Sequence, residues 1–485
     1  MFSSAKKLLF MKRDKEFLAK LLHLALPMTL QQFLMTTLFV FDTVFVGGLG
    51  DKYLAAVGQA GNITMLLWFG FSAVSSAGAI YAAQYWGKDR DEAGIRKAFS
   101  ASLIFAAVVA VFFFVVAFFL GRYAMRILSK DPEVRSIGQM YLTIVSFAYP
   151  IWAVTAVLSS ILRSIGITRI PLYASVIGSG VNIAMDSVLV NGYLGFPKWG
   201  VPAAAASTII GAAIELFLLA VLSLRADTPV SLRRRDFMKP GKKFIREFFR
   251  AALPLAAKDQ LWATGVTLYS IAFASLGVAA TAAFTVYTTL GEFMNVLFIS
   301  IGGAGGIMIG HLLGAAEIEK AKNYAWRLLR VMLLSGIALG PLFILLREVL
   351  ILPFPNLTPE AITYTRQGLF LMSCIIWAKG INFTNMNGIL RAGGDTIGAA
   401  AIDVGTLWLF GVPLTMIAAM LISTDVPPNS PSMMINRSVS TRFALCVSGC
   451  LKLGIALLTA STPVSAVHPF EKARRIRNRE TEPIP

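Results

Sequence analysis

Two aspartates, an asparagine and a threonine stand inside otherwise apolar stretches of this 485-residue chain, with a spacing that suits the binding of a small cation. Asp42 lies five residues before Gly47, which closes an apolar run over 21–47, and Asp186 lies five residues before Asn191, just past a run over 170–190. At a helical rise of 1.5 Å per residue, both carboxylates fall about 7–8 Å inside the same end of their helices. Thr208, early in the run 201–224, falls about 10–12 Å inside that end by the same arithmetic. Asn182 and Asp186 are four residues apart and share a helix face, which Ser175 and Ser179 continue as a polar stripe. Two carboxylates, an amide oxygen and a hydroxyl are hard ligands for a monovalent cation such as Na⁺. Two carboxylates in a low-dielectric interior do not both stay ionised, so the group suits H⁺ equally well. The competing reading is polar glue between helices. Inserting one carboxylate at mid-bilayer costs about 2.5–3.5 kcal/mol, so such residues face a polar interior and are functional candidates.

The second half carries Lys258, Asp259, Glu292, Lys379 and Asp403 in its apolar runs. Glu292, midway along 280–312, is the candidate for contact with a cationic substrate. Asp259 is placed to face a cavity, while Lys258 could snorkel toward an interface. No catalytic arrangement emerges. His23, His311 and His468 are scattered, and Cys374, Cys446 and Cys450 form neither a disulfide framework nor a zinc spacing. Gly302-Gly303-Ala304-Gly305-Gly306 lacks the Lys and Ser/Thr of a phosphate loop and reads as close helix packing. No cofactor is expected beyond the coupling ion, and no metal beyond Na⁺ at Asp42, Asn182, Asp186 and Thr208.

The elements that position these groups must be membrane helices. Hydrophobic residues make up 56% of the chain and charged ones only 14%, against about 25% charged in soluble domains. Twelve runs are long enough to span a bilayer: 21–47, 54–86, 98–121, 136–162, 170–190, 201–224, 251–276, 280–312, 326–346, 362–390, 397–421 and 443–460. Little chain is left for a soluble nucleotide-binding domain. Of the 44 Lys+Arg, 31 fall on the side of the two termini and 10 on the other. This bias places both termini in the cytoplasm of a multi-pass cell-membrane protein. The net charge of +18 therefore reads as topology and anionic-lipid contact, with no nucleic-acid partner. The basic N-terminus leads into a first span rather than a cleaved signal.

The chain also contains its own copy. Ala25-Leu26-Pro27 returns as Ala252-Leu253-Pro254, Ala77-Gly78-x-Ile80 as Ala304-Gly305-x-Ile307, and Gly87 as Gly314, all at an offset of 227. Ile161-Leu162-Arg163 with Gly166 returns as Ile389-Leu390-Arg391 with Gly394 at 228. Two copies of six spans share one orientation, which is the parallel-repeat plan of secondary transporters. The expected fold is all-α and polytopic, two six-helix lobes around a central cavity. Its divisions are a basic tail (1–20), a first lobe (21–225), a basic linker (226–249) read as a solvated charged loop, a second lobe (250–461) and a basic tail (462–485). Pro27 and Pro254 mark hinges at equivalent places. At the same offsets Asp42, Asn182 and Asp186 map to Tyr269, Phe410 and Leu414, so the polar group belongs to one lobe only.

With these residues the chain resembles the multidrug and toxic compound extrusion family. The resemblance covers about 20–422 and rests on Pro27 and Asp42 with Gly47, Gly87, Asn182-x-x-x-Asp186, Gly200-Val201-x-Ala-Ala up to Thr208, and Leu390-Arg391-x-Gly-Gly394-Asp395-Thr396. It implies two lobes around a V-shaped cavity and antiport of organic cations against inward H⁺ or Na⁺. It carries the coupling-ion role onto Asp42, Asn182, Asp186 and Thr208. Pro202-Ala203 departs from the family pattern, and the chain after about Ile422 ceases to resemble it. The expected protein is a monomeric exporter of amphipathic, cationic drugs or toxic metabolites, not an enzyme. A lipid-linked precursor flippase of the same superfamily is the alternative, for which the basic candidates are Arg163, Lys258, Lys379 and Arg391.

Overall fold

A computed structural model describes residues 15–424, except 130, 191, 193, 194, 196, 276, 277, 353, 355 and 356. The expected twelfth span with Lys452, the segment 425–442, the C-terminal tail and residues 1–14 lie outside the described residues, as do Cys446, Cys450 and His468. All regular structure among the described residues is helical.

The first lobe comprises α1 (Lys15–Gly47), α2 (Asp51–Gly87), α3 (Glu92–Phe119), the short α4 (Gly121–Leu128), α5 (Pro132–Val145), α6 (Ala148–Ser164), α7 (Arg169–Leu189) and α8 (Val201–Arg225). The second comprises α9 (Lys242–Ser275), α10 (Val278–Gly314), α11 (Ile318–Ile351), α12 (Pro359–Phe383) continued by a π segment (Thr384–Leu390), then α13 (Thr396–Thr406), a π turn (Leu407–Gly411) and α14 (Val412–Thr424). Among the described residues, seven helices are long and apolar enough to cross a membrane, and eight when the bent pair α5–α6 counts as one span. The fourth expected span, one run over 136–162, is two helices meeting at 52°. Pro150 has no N–H for the Ser146 carbonyl, and its ring crowds that carbonyl, so the helix breaks there.

Local chemistry sets the boundaries. Asp91, Asp131, Thr358 and Asp395 cap α3, α5, α12 and α13 with side-chain oxygens that accept backbone N–H groups. The repeat extends to backbone detail. Gly166 and Gly394 take φ of 89° and 76°, the left-handed region that favours glycine. The flanking bonds match, with Ile167 N donating to Leu162 O (2.9 Å) and Asp395 N to Leu390 O (3.0 Å). These are paired helix-ending motifs one repeat apart.

The first lobe packs around Leu67, Phe71, Phe99, Tyr149, Leu158 and Ile161, the second around Met294, Phe298, Met332, Met372 and Ile376. Two helices cross between them. The start of α1 (Phe17, Leu21, Leu24, Ala25) is buried against Ala304, Met308, Ala321 and Leu328 of the second lobe, whereas Val46 at its far end packs with Val190 and Ala203 of the first. The start of α9 mirrors this. Phe248 stacks on Phe105 at 5.4 Å and on Tyr81 at 6.1 Å in the first lobe, while Tyr269 packs with Leu407 and Val412 of the second. Pro27 and Pro254 lie inside these two helices, near where each passes from one lobe to the other.

On the side of the basic linker (226–249) the lobes are joined by a pseudo-twofold contact. Side chains built at Gly87 and Gly314 would run into the carbonyl oxygens of His311 and Gln84 respectively, so these two helix ends touch backbone to backbone. Gln84 Nε2 donates to Ala392 O (3.0 Å), and His311 Nε2 bonds Ser164 O (2.7 Å). The two residues of one bond map onto the two of the other by the repeat, Gln84 onto His311 and Ser164 onto Ala392.

The linker is not the solvated loop expected from its arginines. Its Arg234–Asp236 turn docks on α3. Asp236 is wholly buried and accepts the N–H groups of Ser231 (2.7 Å) and Arg233 (3.0 Å), with Arg96 Nε at 3.4 Å. Ser100 Oγ donates to Asp236 O and accepts Met238 N–H. Helix α9 begins at Lys242, inside the segment expected to be linker. The exposed Asp227 carboxylate takes the Arg233 guanidinium, which holds it below the usual carboxylate range. Asp236→Ala leaves the Ser231 and Arg233 N–H groups without their acceptor, while Arg96 keeps Glu92 and the Pro229 carbonyl, so a loss of about 1–3 kcal/mol per stranded donor is expected. Thermal melting of the detergent-solubilised protein checks this, with Asp227→Ala melting near the wild type.

Candidate functional site

Helices α1, α7 and α8 bring the polar group of the first lobe together. Asp186 and Asn182 are buried (1% and 4% exposed), one turn apart on α7 as their spacing predicts. The carboxyl of Asp42, half-buried on α1, reaches that of Asp186 within hydrogen-bonding distance. The Asn182 amide joins the third helix. In the orientation that satisfies both neighbours, its Nδ2 donates to Asp42 Oδ1 (3.3 Å) and its Oδ1 accepts the Thr208 backbone N–H (3.1 Å). Tyr141 of α5 lies near enough for the charge of both carboxyls to reach it.

Thr208 enters differently from expectation. Its hydroxyl donates to Ala204 O of its own helix (2.8 Å), and only its backbone N–H addresses the group. The hydroxyl that reaches Asp186 is that of the wholly buried Ser207, which donates to Asp186 Oδ1. Sequence periodicity places two adjacent hydroxyls on α8 but does not fix which one turns toward α7.

Close packing of α7 on α8 makes this geometry possible. A Cβ at Gly178 would lie 2.7 Å from Glu215 Cβ and 2.9 Å from Gly211 O, and one at Gly211 would lie 2.8 Å from Asn182 Cβ. The paired glycines let the backbones touch and set Asn182 and Glu215 on opposite sides of the crossing. Glu215, buried at 8% exposure, is an intramembrane carboxylate absent from the sequence-based set. The rule that selects Asp42 would have found it, since it is the one acidic residue in the run 201–224.

In the second lobe, Lys258 does not snorkel. Its Nζ pairs with Asp259 Oδ1 (2.9 Å) and Asp403 Oδ2 (3.5 Å), largely buried, and the charges of both carboxylates also reach Arg391. Asp259 is thus neutralised by cations rather than left to face a cavity alone. Glu292 stands outside this cluster, exposed, with Asn295 Nδ2 at 3.3 Å from its Oε1. By the repeat, Lys258, Arg391 and Asp403 overlie Gln31, Arg163 and Ser175 of the first lobe. Where the first lobe has Asp42, the second has Tyr269 in an apolar cluster. No group of three or more His, Cys, Asp or Glu able to hold a metal occurs among the described residues.

The family model MatE matches the chain twice, over residues 27–188 and 259–417, about two thirds of its length. The chain belongs to the MatE family. Among its relatives, the probable multidrug resistance protein YoeA of Bacillus subtilis is 23% identical over 389 residues, spanning 78% of this chain and 81% of the relative. The multidrug resistance protein MdtK of Pectobacterium atrosepticum is 25% identical over 414 residues, spanning 84% and 88%. A solved MATE in complex with MaL6 superimposes with a TM-score of 0.81 at 18% identity, covering 95% of this chain and 97% of that one. The double match falls on the two lobes, and the fold is that of MATE transporters.

Proposed function

We propose that this MatE-family protein is a multidrug efflux antiporter of the cell membrane that exports amphipathic organic cations against inward-moving protons. The observation that carries the reading is the contact between the carboxyls of Asp42 and Asp186, joined by Asn182 and Ser207, in one lobe only. With its amide oriented toward Thr208, Asn182 presents an N–H rather than an oxygen to Asp42, and Ser207 donates as well. What favours H⁺ is the contact itself: two carboxyls this close in a low-dielectric interior do not both stay ionised, so one of them holds a proton. The names of YoeA and MdtK support multidrug export. Both termini and the linker side face the cytoplasm, so the joined helix ends close the lobes on the inside. The chain acts as a monomer, needs no cofactor, and takes its cationic substrate against the exposed Glu292. A flippase for anionic lipid-linked precursors is less well supported, because Lys258 and Arg391 are matched by Asp259 and Asp403. Ethidium efflux from reconstituted vesicles under separately imposed gradients tests the reading. A pH gradient should drive efflux and a Na⁺ gradient alone should not; the reverse result assigns Na⁺, and no response to either removes the antiport mechanism.

A further inference from the structure

A second polar group lies along the α7–α8 seam, on the linker side of the Asp42–Asp186 pair. It contains Glu215 of α8, Ser175 of α7, Arg163 of α6 and Gln31 of α1. Ser175 is wholly buried, faces the Glu215 carboxyl and has no satisfied hydrogen bond for its hydroxyl. Arg163 Nη1 donates to Gln31 Oε1 (2.8 Å), and Gln31 is itself 6% exposed. Of the charged groups on α1, α5, α6 and α7, the elements packed on α8, Arg163 is the one whose field reaches Glu215 among the described residues, and Asp42 of α1 pairs with Asp186 instead. Tyr141 of α5 interacts instead with the charges of the outer pair. The second lobe has a half-buried arginine at the matching position, in the field of Asp259 and Asp403; in the first lobe Glu215 is the one carboxylate whose field reaches Arg163 among the described residues.

The position of Arg163 gives this group leverage. Gln31 is one turn beyond Pro27 on the helix that carries Asp42, and the next residue, Ser164, offers the carbonyl bonded by His311 across the lobes. We infer that Glu215 is a second proton-binding site, which receives the proton on its way from the Asp42–Asp186 pair to the cytoplasm and signals its arrival through Arg163. The proton adds to a Glu215 carboxylate oxygen, with no other bond made or broken. Neutral Glu215 no longer attracts the guanidinium, which frees Arg163 to loosen its hold on α1 beside Pro27 and on the adjacent lobe contact. A buried cation that loses its counter-charge is costly, and this cost favours opening on the linker side.

The inference rests on the antiport reading and is tested beside it, with ethidium as probe in vesicles holding the full chain. Glu215→Gln, which keeps shape and removes the proton site, should lower efflux driven by a pH gradient at least about tenfold. Glu215→Asp should restore most of it, a rescue that a purely structural role would not give. Arg163→Gln should lose driven efflux as well and serves as the second variant if Glu215→Gln does not elute as a folded species. Driven efflux within about twofold of wild type in Glu215→Gln or Arg163→Gln, or an Asp variant as inactive as the Gln one, overturns the inference. Asp42→Asn run in parallel separates the two readings. If it is inactive while Glu215→Gln is active, only the second site falls; if it too is active, the antiport site falls.

Discussion

Replacing Asp42 with Asn is expected to reduce ion-driven ethidium efflux to the leak of empty vesicles, a loss of about a hundredfold or more, and Asp186→Asn should do the same. An ion drives transport only through a difference in its affinity for the two conformations of the carrier. Here that difference depends on two carboxyls that meet when α1 lies against α7. With one carboxyl gone there is no shared proton, and the position of α1 ceases to matter to the ion. Asn is close to isosteric with Asp and can still bond the Asn182 amide, so each variant should elute and melt like the wild type. Ser207→Ala removes one donor from Asp186 and should cost about 1.5–3 kcal/mol in that interaction, roughly a tenfold to hundredfold loss of driven efflux. Wild-type efflux from both aspartate variants would remove the site.

The second large effect is expected at the joined helix ends. Gly87→Leu or Gly314→Leu places a side chain where the partner helix presents a backbone carbonyl, and neither backbone can yield without breaking its own helix. The lobes should then fail to close on the linker side. Transport should fall at least about tenfold although each lobe still folds around its separate core. A thiol reports the cause directly. Leu313→Cys, buried against α1 at 7% exposure, in a background lacking Cys374, Cys446 and Cys450, should resist a membrane-impermeant maleimide in the parent. It should react at least about tenfold faster with Gly87→Leu. Equal reactivity with impaired transport would mean that the glycines matter for something other than closure.

The sequence made the Asp42–Asp186 pair legible because depth within a helix and spacing along it are one-dimensional quantities. The paired lobes were legible because duplication leaves an offset. What stayed hidden depends on how helices face each other. Ser207 and Thr208 are neighbours, and only the rotation of α8 decides which hydroxyl meets Asp186. The contacts of Gly87 with His311 and Gly314 with Gln84 join helices far apart in the chain, although each residue's repeat partner was visible. The docked linker was masked by its own charge: Arg233-Arg234-Arg235 reads as a solvated run, and nothing in the string shows that Asp236 behind it is buried against Arg96. Lys258 was misread for a related reason, since a long cation near a helix end normally escapes to water unless carboxylates such as Asp259 and Asp403 wait on neighbouring helices.

The exchange of helices between the lobes limits how this molecule can move. Because α1 is rooted in one body and ends in the other, and α9 does the same in reverse, neither body swings on a slack tether. Any tilt must be taken up within two continuous main chains as curvature, and each has a ready place for it at its proline. The pair then behave as opposed levers on a common fulcrum, so a bend set at one proline imposes a matching strain on the other. Straightening either should stiffen the whole.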